Sequence, residues 1–261
     1  MQNDLSPGLT VAVITKNEAA NLKACLNSIE GLDARIVIID SGSTDDTQAI
    51  AEHFGADFQV YADWPGFGPQ RNRAHNHVTT EWVLWLDADE RLTAELRHSI
   101  RDAVKNTAAD GKTVFEFNRL SSAFGAFIRH CGWHPDWVVR LYPAAHVRYS
   151  EDLVHEKVLV PTGAAIRKLN GDCLHYTYAS LEQFLNKQNL YSKIWADQRA
   201  AQGKTAGLGS ALIHGWARFF KMYVMKAGFL DGKYGLLLSI LSAQSAFNKY
   251  AALWLKGKEK N

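Results

Sequence analysis

Residues 82–92, WVLWLDADERL, constrain the fold more than any other stretch. Five apolar residues, Trp82 to Leu86, have the length and continuity of a buried strand and stop abruptly at Asp87-Ala88-Asp89-Glu90. A buried strand that ends in clustered acids delivers them to the edge of a sheet. In open α/β sheets, ligands bind at the carboxyl ends of the strands. Oxygen ligands of this kind suit Mg2+ or Mn2+, and such an ion in turn holds the phosphates of a nucleotide. A solvated acidic turn before a helix is the plainer reading of the same residues, so the flanking chain has to decide.

The same pattern occurs twice upstream. Leu9 to Thr15 (LTVAVIT) reads as a parallel-sheet strand and runs into Lys16-Asn17-Glu18. Asn17 is a helix-cap candidate for a helix with Ala19, Leu22, Leu26 and Ile29 on one face. Arg35 to Ile39 closes a βαβ unit and ends in Asp40-Ser41-Gly42-Ser43-Thr44-Asp45-Asp46, where Ser43 and Asp46 fit a capping box. Polar clusters at the ends of several strands favour a nucleotide pocket. Neither G-x-G-x-x-G nor a P-loop lysine signature is present, so the phosphates are held by another route. Gln59 to Tyr61 is a short strand candidate. The turn-rich Trp64–Pro69 loop then leads to Arg71 and Arg73, which suit phosphate contacts or the exposed face of a helix.

Beyond the acids, Thr93 is expected to cap a helix carrying Leu96, Ile100 and Val104, and Thr113 to Asn118 to return as a strand. Residues 119–137 read as an irregular loop rich in aromatics, histidine and glycine, suited to stacking on sugar rings or to packing as a surface loop. Val138 to Tyr142 is a strand. A second acidic cluster follows, Glu151-Asp152-Leu153-Val154-His155-Glu156, far in sequence from the first. A metal-bound leaving group requires such a separate carboxylate to take the nucleophile's proton. Val158–Val160, Ala165–Leu169 and Cys173–Tyr176 read as an antiparallel meander carrying His175. Ser180 and Gln183 cap a helix to about Ala201, with Leu181, Phe184, Leu185, Ile194 and Trp195 among its buried positions.

From Leu208 the pattern changes. Trp216, Phe219, Phe220, Tyr223 and Val224 interleave with Arg218, Lys221 and Lys226. Gly228 and Gly232 separate this helix from a second, Tyr234 to Leu255, with a basic tail. Aromatic, basic, amphipathic helices suit an anionic membrane interface; a helical hairpin packed on the domain or in a dimer is the alternative. The chain therefore divides in sequence into residues 1–204 and an extension over 205–261.

Composition adds limits. With 47% hydrophobic residues a sizeable core forms, and a formal charge of +2 argues against bulk nucleic-acid binding. Cys25, Cys131 and Cys173 are too scattered for a disulfide framework or a zinc site, which fits a reducing compartment. No signal-peptide pattern opens the chain and no run reaches spanning length, so a cytoplasmic protein is expected.

Taken as a set, TVAVITKNEAANLKACLNSI, VIIDSGSTDDT, GFGPQRNRA and WVLWLDADERLT resemble the family 2 inverting glycosyltransferases. With VVRLY, VHEKV and LHYTYASLEQF they are more closely similar to the lipopolysaccharide-core β-1,4-glucosyltransferases that act on an inner heptose. The resemblance covers about residues 9–200 and the C-terminal helices only loosely. It implies an α/β GT-A fold with a C-terminal helical extension, a UDP-glucose donor and a Mg2+ or Mn2+ ion. Thr15, Asn17 and Glu18 would lie at the uridine pocket, Asp40 at the uracil or ribose, and Arg71 near the base or diphosphate. Asp87 would approach the ribose or donor sugar, and Asp89 would ligate the metal, with His155 or His175 as a further ligand. The base would be Glu156, with Asp152 second. The acceptor would be a lipid-anchored saccharide met at the inner face of the cytoplasmic membrane. A family 2 enzyme acting on a lipid phosphate or a protein is the rival enzyme, and a nucleotide-sugar-binding scaffold without turnover the rival outside catalysis.

Overall fold

Thr15 sits beside Asp40, and Ile14 beside Asp87, in the registers of three parallel strands. The computed structural model that shows this describes residues 6–153 and 156–258. In chain order β1 (Ser6–Thr15), α1 (Ala19–Ser28), β2 (Arg35–Asp40), α2 (Thr47–His53), β3 (Asp57–Val60), α3 (Phe67–Asn76) and β4 (Thr80–Asp87) come first. Then come β5 (Glu90–Leu92), α4 (Ala94–Asn106), β6 (Thr113–Ala123), β7 (Ala126–Phe127), β8 (Trp137–Pro143) and β9 (Ala165–Tyr178). Helices α5 (Leu181–Ala201), α6 (Leu208–Phe220) and α7 (Gly232–Lys258) complete the chain.

The described residues group into two compact units, 6–119 with 136–175 and 120–135 with 176–258. In the first, β3-β2-β1-β4 run parallel, and the order continues β8-β6-β9-β5, with β8 antiparallel to β4. The continuous apolar strands are explained by burial on both faces. Val11, Val13, Ile38, Leu84 and Leu86 pack with Leu22, Leu26, Leu96 and Ile100 of α1 and α4. Ala12, Val37, Ile39, Val83 and Trp85 pack on the other face with Ala74 of α3, Tyr142 and Tyr149. Each such side chain contributes roughly 1.5–3 kcal/mol by leaving water. Together they hold the strand ends in fixed register.

Several local expectations give way to tertiary bonds. Asn17 does not cap α1: it has a φ of 55° and its Oδ1 accepts from the Thr44 N–H, while Glu18 occupies the cap position. Ser43 does not cap α2, because its hydroxyl donates to Asp40 and Asp46 takes the cap position. Thr93 and Ser180 do cap their helices, accepting from Leu96 and Gln183 N–H groups. The expected meander is instead one strand, β9; Val158 makes only an isolated bridge to Tyr149. Within β9, Gly171 (φ +90°) leaves room for the Leu96 backbone, which lies where a Cβ would stand. Of the expected 119–137 loop, residues 119–123 continue β6, 126–127 form β7 and Trp137 opens β8. All three cysteines are buried and free.

The second unit is built on Ile128, Tyr178, Phe184, Met222, Leu238 and Leu241. The 204/205 boundary therefore falls inside it, since loop residues and α5 share a core with α7. Within α5, Phe184 is buried, whereas Leu181 and Ile194 are exposed. Helix α6 ends in a π turn (Lys221–Met225) and a 3-10 turn (Gly228–Asp231) before α7 doubles back along it. Among the described residues no helix is long and apolar enough to cross a membrane.

Candidate active site

The site lies in the first unit, at the carboxyl ends of β1, β2 and β4. Asp40 ends β2 almost fully buried, and its two oxygens accept four hydrogen bonds. Thr15 and Ser43 hydroxyls donate to Oδ2 at 2.8 and 2.6 Å, and the Gly42 and Ser43 N–H groups to Oδ1 at 2.8 and 2.6 Å. Asn17 reinforces this loop, its N–H donating to Ser43 Oγ at 2.7 Å. Asp40 therefore shapes the loop around the pocket through all its near lone pairs.

Arg71 is the hub. It is buried on α3, with its guanidinium 5.4 Å from the Trp85 ring centroid and 5.0 Å from that of Tyr149. Its Nη2 donates to Asp87 Oδ1 at 2.6 Å and its Nε to Glu156 Oε1 at 3.2 Å, so one cation joins acids 69 residues apart in sequence. Its Nη1 is buried without a hydrogen-bond partner. On the other side Arg140 Nη2 donates to Asp87 Oδ2 at 2.8 Å, and Arg140 Nη1 to the Tyr149 hydroxyl at 3.0 Å. Burial opposes ionisation of Asp87, yet Arg140 and then Arg71 outweigh it and hold the carboxyl far below the usual range.

Glu90 lies beneath, fully buried. Its Oε2 accepts from the Asp87 N–H at 2.9 Å, and its Oε1 is 3.6 Å from Arg119 and 4.0 Å from Arg140. Burial, and next the Asp87 charge, raise its pKa. Arg140 and Glu90 join this charged cluster, and the sequence reading gave neither a role. The signal for Arg140 was a lone cation inside the apolar VVRLY strand: a charge there must be paired.

Asp89 Oδ2 stands 3.4 Å from His175 Nε2, both partly open. Glu18 is close enough to feel Asp89, Asp45 and Asp87, and burial first, then these charges, raise its pKa; its Oε2 accepts from Asn21. Among the described residues no three His, Cys, Asp or Glu side chains gather to cage a metal unaided. A carboxylate oxygen and an imidazole nitrogen 3.4 Å apart nevertheless fit Mg2+ or Mn2+, which retain water and phosphate ligands. His155, the other histidine considered, lies outside the described residues.

Glu156 and Asp152 are held differently. Glu156 belongs to the Arg71 hub. Asp152 is exposed, accepts from the Ser150 hydroxyl at 2.7 Å, and its backbone oxygen accepts from the Gly68 N–H. Gly68 has no room for a Cβ, which would meet Ser150 and Asp152 backbone atoms. The GFG segment and the second acidic cluster are thus stitched together.

Residues 10–127 match the model of Glycosyl transferase family 2. The match spans just under half of the 261 residues. Full-length relatives carry related names: an uncharacterized glycosyltransferase of Rickettsia prowazekii is 29% identical, covering 94% of this chain and 86% of its own. The lipopolysaccharide core biosynthesis glycosyltransferase LpsC of Rhizobium meliloti is 28% identical, covering 93% of each. Among solved structures, the mannosyltransferase PcManGT of Pyrobaculum calidifontis, in complex with GDP-Man and Mn2+, aligns with a TM-score of 0.51 at 16% identity, over 98% of this chain and 80% of that one. The fold is GT-A. The family 2 match includes Thr15 to Asp89 of the site, whereas Arg140, Glu156 and His175 come from beyond residue 127.

Proposed function

We propose that the protein is an inverting glycosyltransferase that moves glucose from UDP-glucose to an inner-core heptose of lipopolysaccharide or lipo-oligosaccharide. The observation that carries the reading is the Arg71 hub, which gathers a nucleotide-side acid, Asp87, and a candidate base, Glu156, beside the Asp89–His175 pair. The lipopolysaccharide-core name of the Rhizobium relative supports the acceptor class. A lipid-anchored saccharide of this kind is met at the inner face of the cytoplasmic membrane.

In the reaction, the acceptor hydroxyl oxygen attacks the anomeric carbon from the face opposite the diphosphate. The bond from that carbon to the diphosphate oxygen breaks, and its electron pair leaves with UDP. The acceptor's proton passes to a carboxylate, Glu156 in this reading, with Asp152 as the alternative. Arg71 fixes Glu156 through Oε1, which leaves Oε2 as the proton-accepting atom. The Thr15, Asn17 and Asp40 loop and Glu18 border the uridine pocket, and Asp87, locked by two arginines, orients the ribose or donor sugar. Asp89 and His175 would hold a Mg2+ or Mn2+ ion, whose charge offsets that growing on the departing diphosphate.

Purified enzyme assayed with UDP-glucose and UDP-galactose, against heptose-terminated, lipid-phosphate and protein acceptors, tests this. Glucose transfer to heptose is expected. Transfer only to lipid phosphate or protein would replace the acceptor, and donor binding without any turnover would leave the scaffold reading.

A further inference from the structure

In the second unit, α6, its turns and α7 expose large apolar side chains that a water-facing hairpin would bury. Trp216 is 72% exposed, Met225 69% and Leu230 62%, and Phe220, Phe229 and Ile240 are exposed too. Trp216 and Ile240, from different helices, border one open groove floored by Gly215 and Ala243, so the exposed sides of α6 and α7 form a shared face. Gly215 packs against the Ala243 carbonyl and Phe247, which sets the groove floor low. Exposed apolar side chains in this number, some sharing a groove and others on the adjoining turns, mark an interaction surface.

Charge identifies what it meets. From Leu208 to Lys258 the chain carries seven lysines and arginines and one acid, Asp231. That acid is turned inward: its side chain is 7% exposed and its carboxylate accepts the Arg129 and His130 N–H groups at 3.1 and 2.8 Å, with His130 Nδ1 at 3.0 Å. Lys256 is already paired with Asp197 at 2.6 Å. The cations left around the apolar turn are Lys221, Lys226 and Lys233, all exposed. A second copy of the chain would bring the same cations to the same face and meet repulsion, whereas an anionic bilayer complements both the apolar and the cationic groups.

We propose that the α6–α7 hairpin docks on anionic lipid, with Trp216, Met225, Phe229 and Leu230 inserted at the interface and Lys221 and Lys233 on headgroups. The proposal rests on the proposed function only for its purpose, a lipid-anchored acceptor; its geometry is independent of the active site.

The test is co-sedimentation of the full chain with vesicles of phosphatidylcholine alone or mixed equally with phosphatidylglycerol. At least about tenfold tighter partitioning to the anionic vesicles is expected, with release at high salt. Lys221→Glu with Lys233→Glu should weaken it at least about tenfold; Lys226 is left in place because its side chain lies against Gly132. Met225→Ser with Leu230→Ser, both exposed and free of a packing role, should weaken binding to either vesicle. Equal sedimentation with both vesicles, or anionic binding untouched by these changes, overturns the proposal. So does a dimer in ultracentrifugation that Met225→Ser with Leu230→Ser dissociates while vesicle binding persists. Transfer to a soluble saccharide is measured in parallel: its failure in the unaltered chain counts against the proposed function, while lost vesicle binding with intact transfer in the variants does not.

Discussion

Arg140 Nη2 lies 2.8 Å from Asp87 Oδ2, so a cation from the middle of β8 holds the last residue of β4 in place. Arg71 holds the other oxygen of the same carboxylate. The pair sits where the antiparallel strands β4 and β8 adjoin, and both arginines are buried. Removing one partner of such a pair leaves a charge that the surroundings cannot solvate.

Arg140→Met should therefore lower unfolding free energy by about 3 kcal/mol, measured by urea denaturation. Arg140→Met combined with Asp87→Asn should recover part of that loss, because the stranded carboxylate is gone. Strict additivity of the two single changes would refute the coupling.

Asp89 behaves oppositely. It is partly open, and its acidic side chain faces His175 at 3.4 Å without an arginine clamp. Asp89→Ala should abolish transfer while the melting midpoint moves by no more than about 2 °C. Calorimetric titration of Mn2+ in the presence of UDP should show weakened binding in the same variant. Full activity of Asp89→Ala in excess chelator would remove both the metal and this residue from the reaction.

The parts of this molecule that were legible in its sequence are those where one-dimensional pattern and three-dimensional burial coincide. Val11, Ile38 and Leu84 lie in apolar runs because both faces of a parallel sheet are covered, and the polar residues that end those runs mark the pocket edge. Asp87 and Asp89 could be found this way. Arg140 was hidden, because a cation in a short apolar run gives no sign of which distant acid it will meet. Asn17 and Ser43 looked like helix caps because caps use the same short polar side chains. Here those side chains bond across between the loops after β1 and β2, a choice local sequence does not encode. The link of Glu156 to Arg71 spans 85 positions, and no local pattern announces it.

His75 gives the protein a definable acid sensitivity. It is buried on α3, its Nε2 is 2.9 Å from the Ala144 carbonyl, and its ring stacks on Tyr142. Burial, with a smaller push from Arg148, lowers its pKa to about 4, against a bond to Ala144 that acts the other way. The unfolded chain takes up its proton near 6.5 and the folded chain only near 4. Stability is therefore complete above pH 6.5 and is lost as pH falls toward 4, by up to about 3 kcal/mol from this residue. His75→Gln should flatten that part of a stability-versus-pH curve obtained from urea denaturation. An unchanged slope would assign the sensitivity elsewhere.

Glu156 and Asp152 are separable by what holds each of them. Glu156 is 16% exposed at its side chain and takes a hydrogen bond from Arg71 Nε, while Asp152 is open to solvent and bonded to Ser150. Arg71 links Glu156 to Asp87, so a change at either acid is felt by the other. Glu156→Gln keeps an oxygen for Arg71 Nε, so the hub stays assembled, but it cannot accept the acceptor's proton. Its kcat should fall by at least about a hundredfold, with UDP-glucose affinity by calorimetry within about threefold of the original. Glu156→Ala removes the hydrogen bond too and should weaken donor binding in addition, since Arg71 is then held by Asp87 alone. Asp152→Asn should leave kcat within about threefold. The reverse pattern, normal turnover in Glu156→Gln and lost turnover in Asp152→Asn, would make Asp152 the base and leave Glu156 as the residue that sets Arg71.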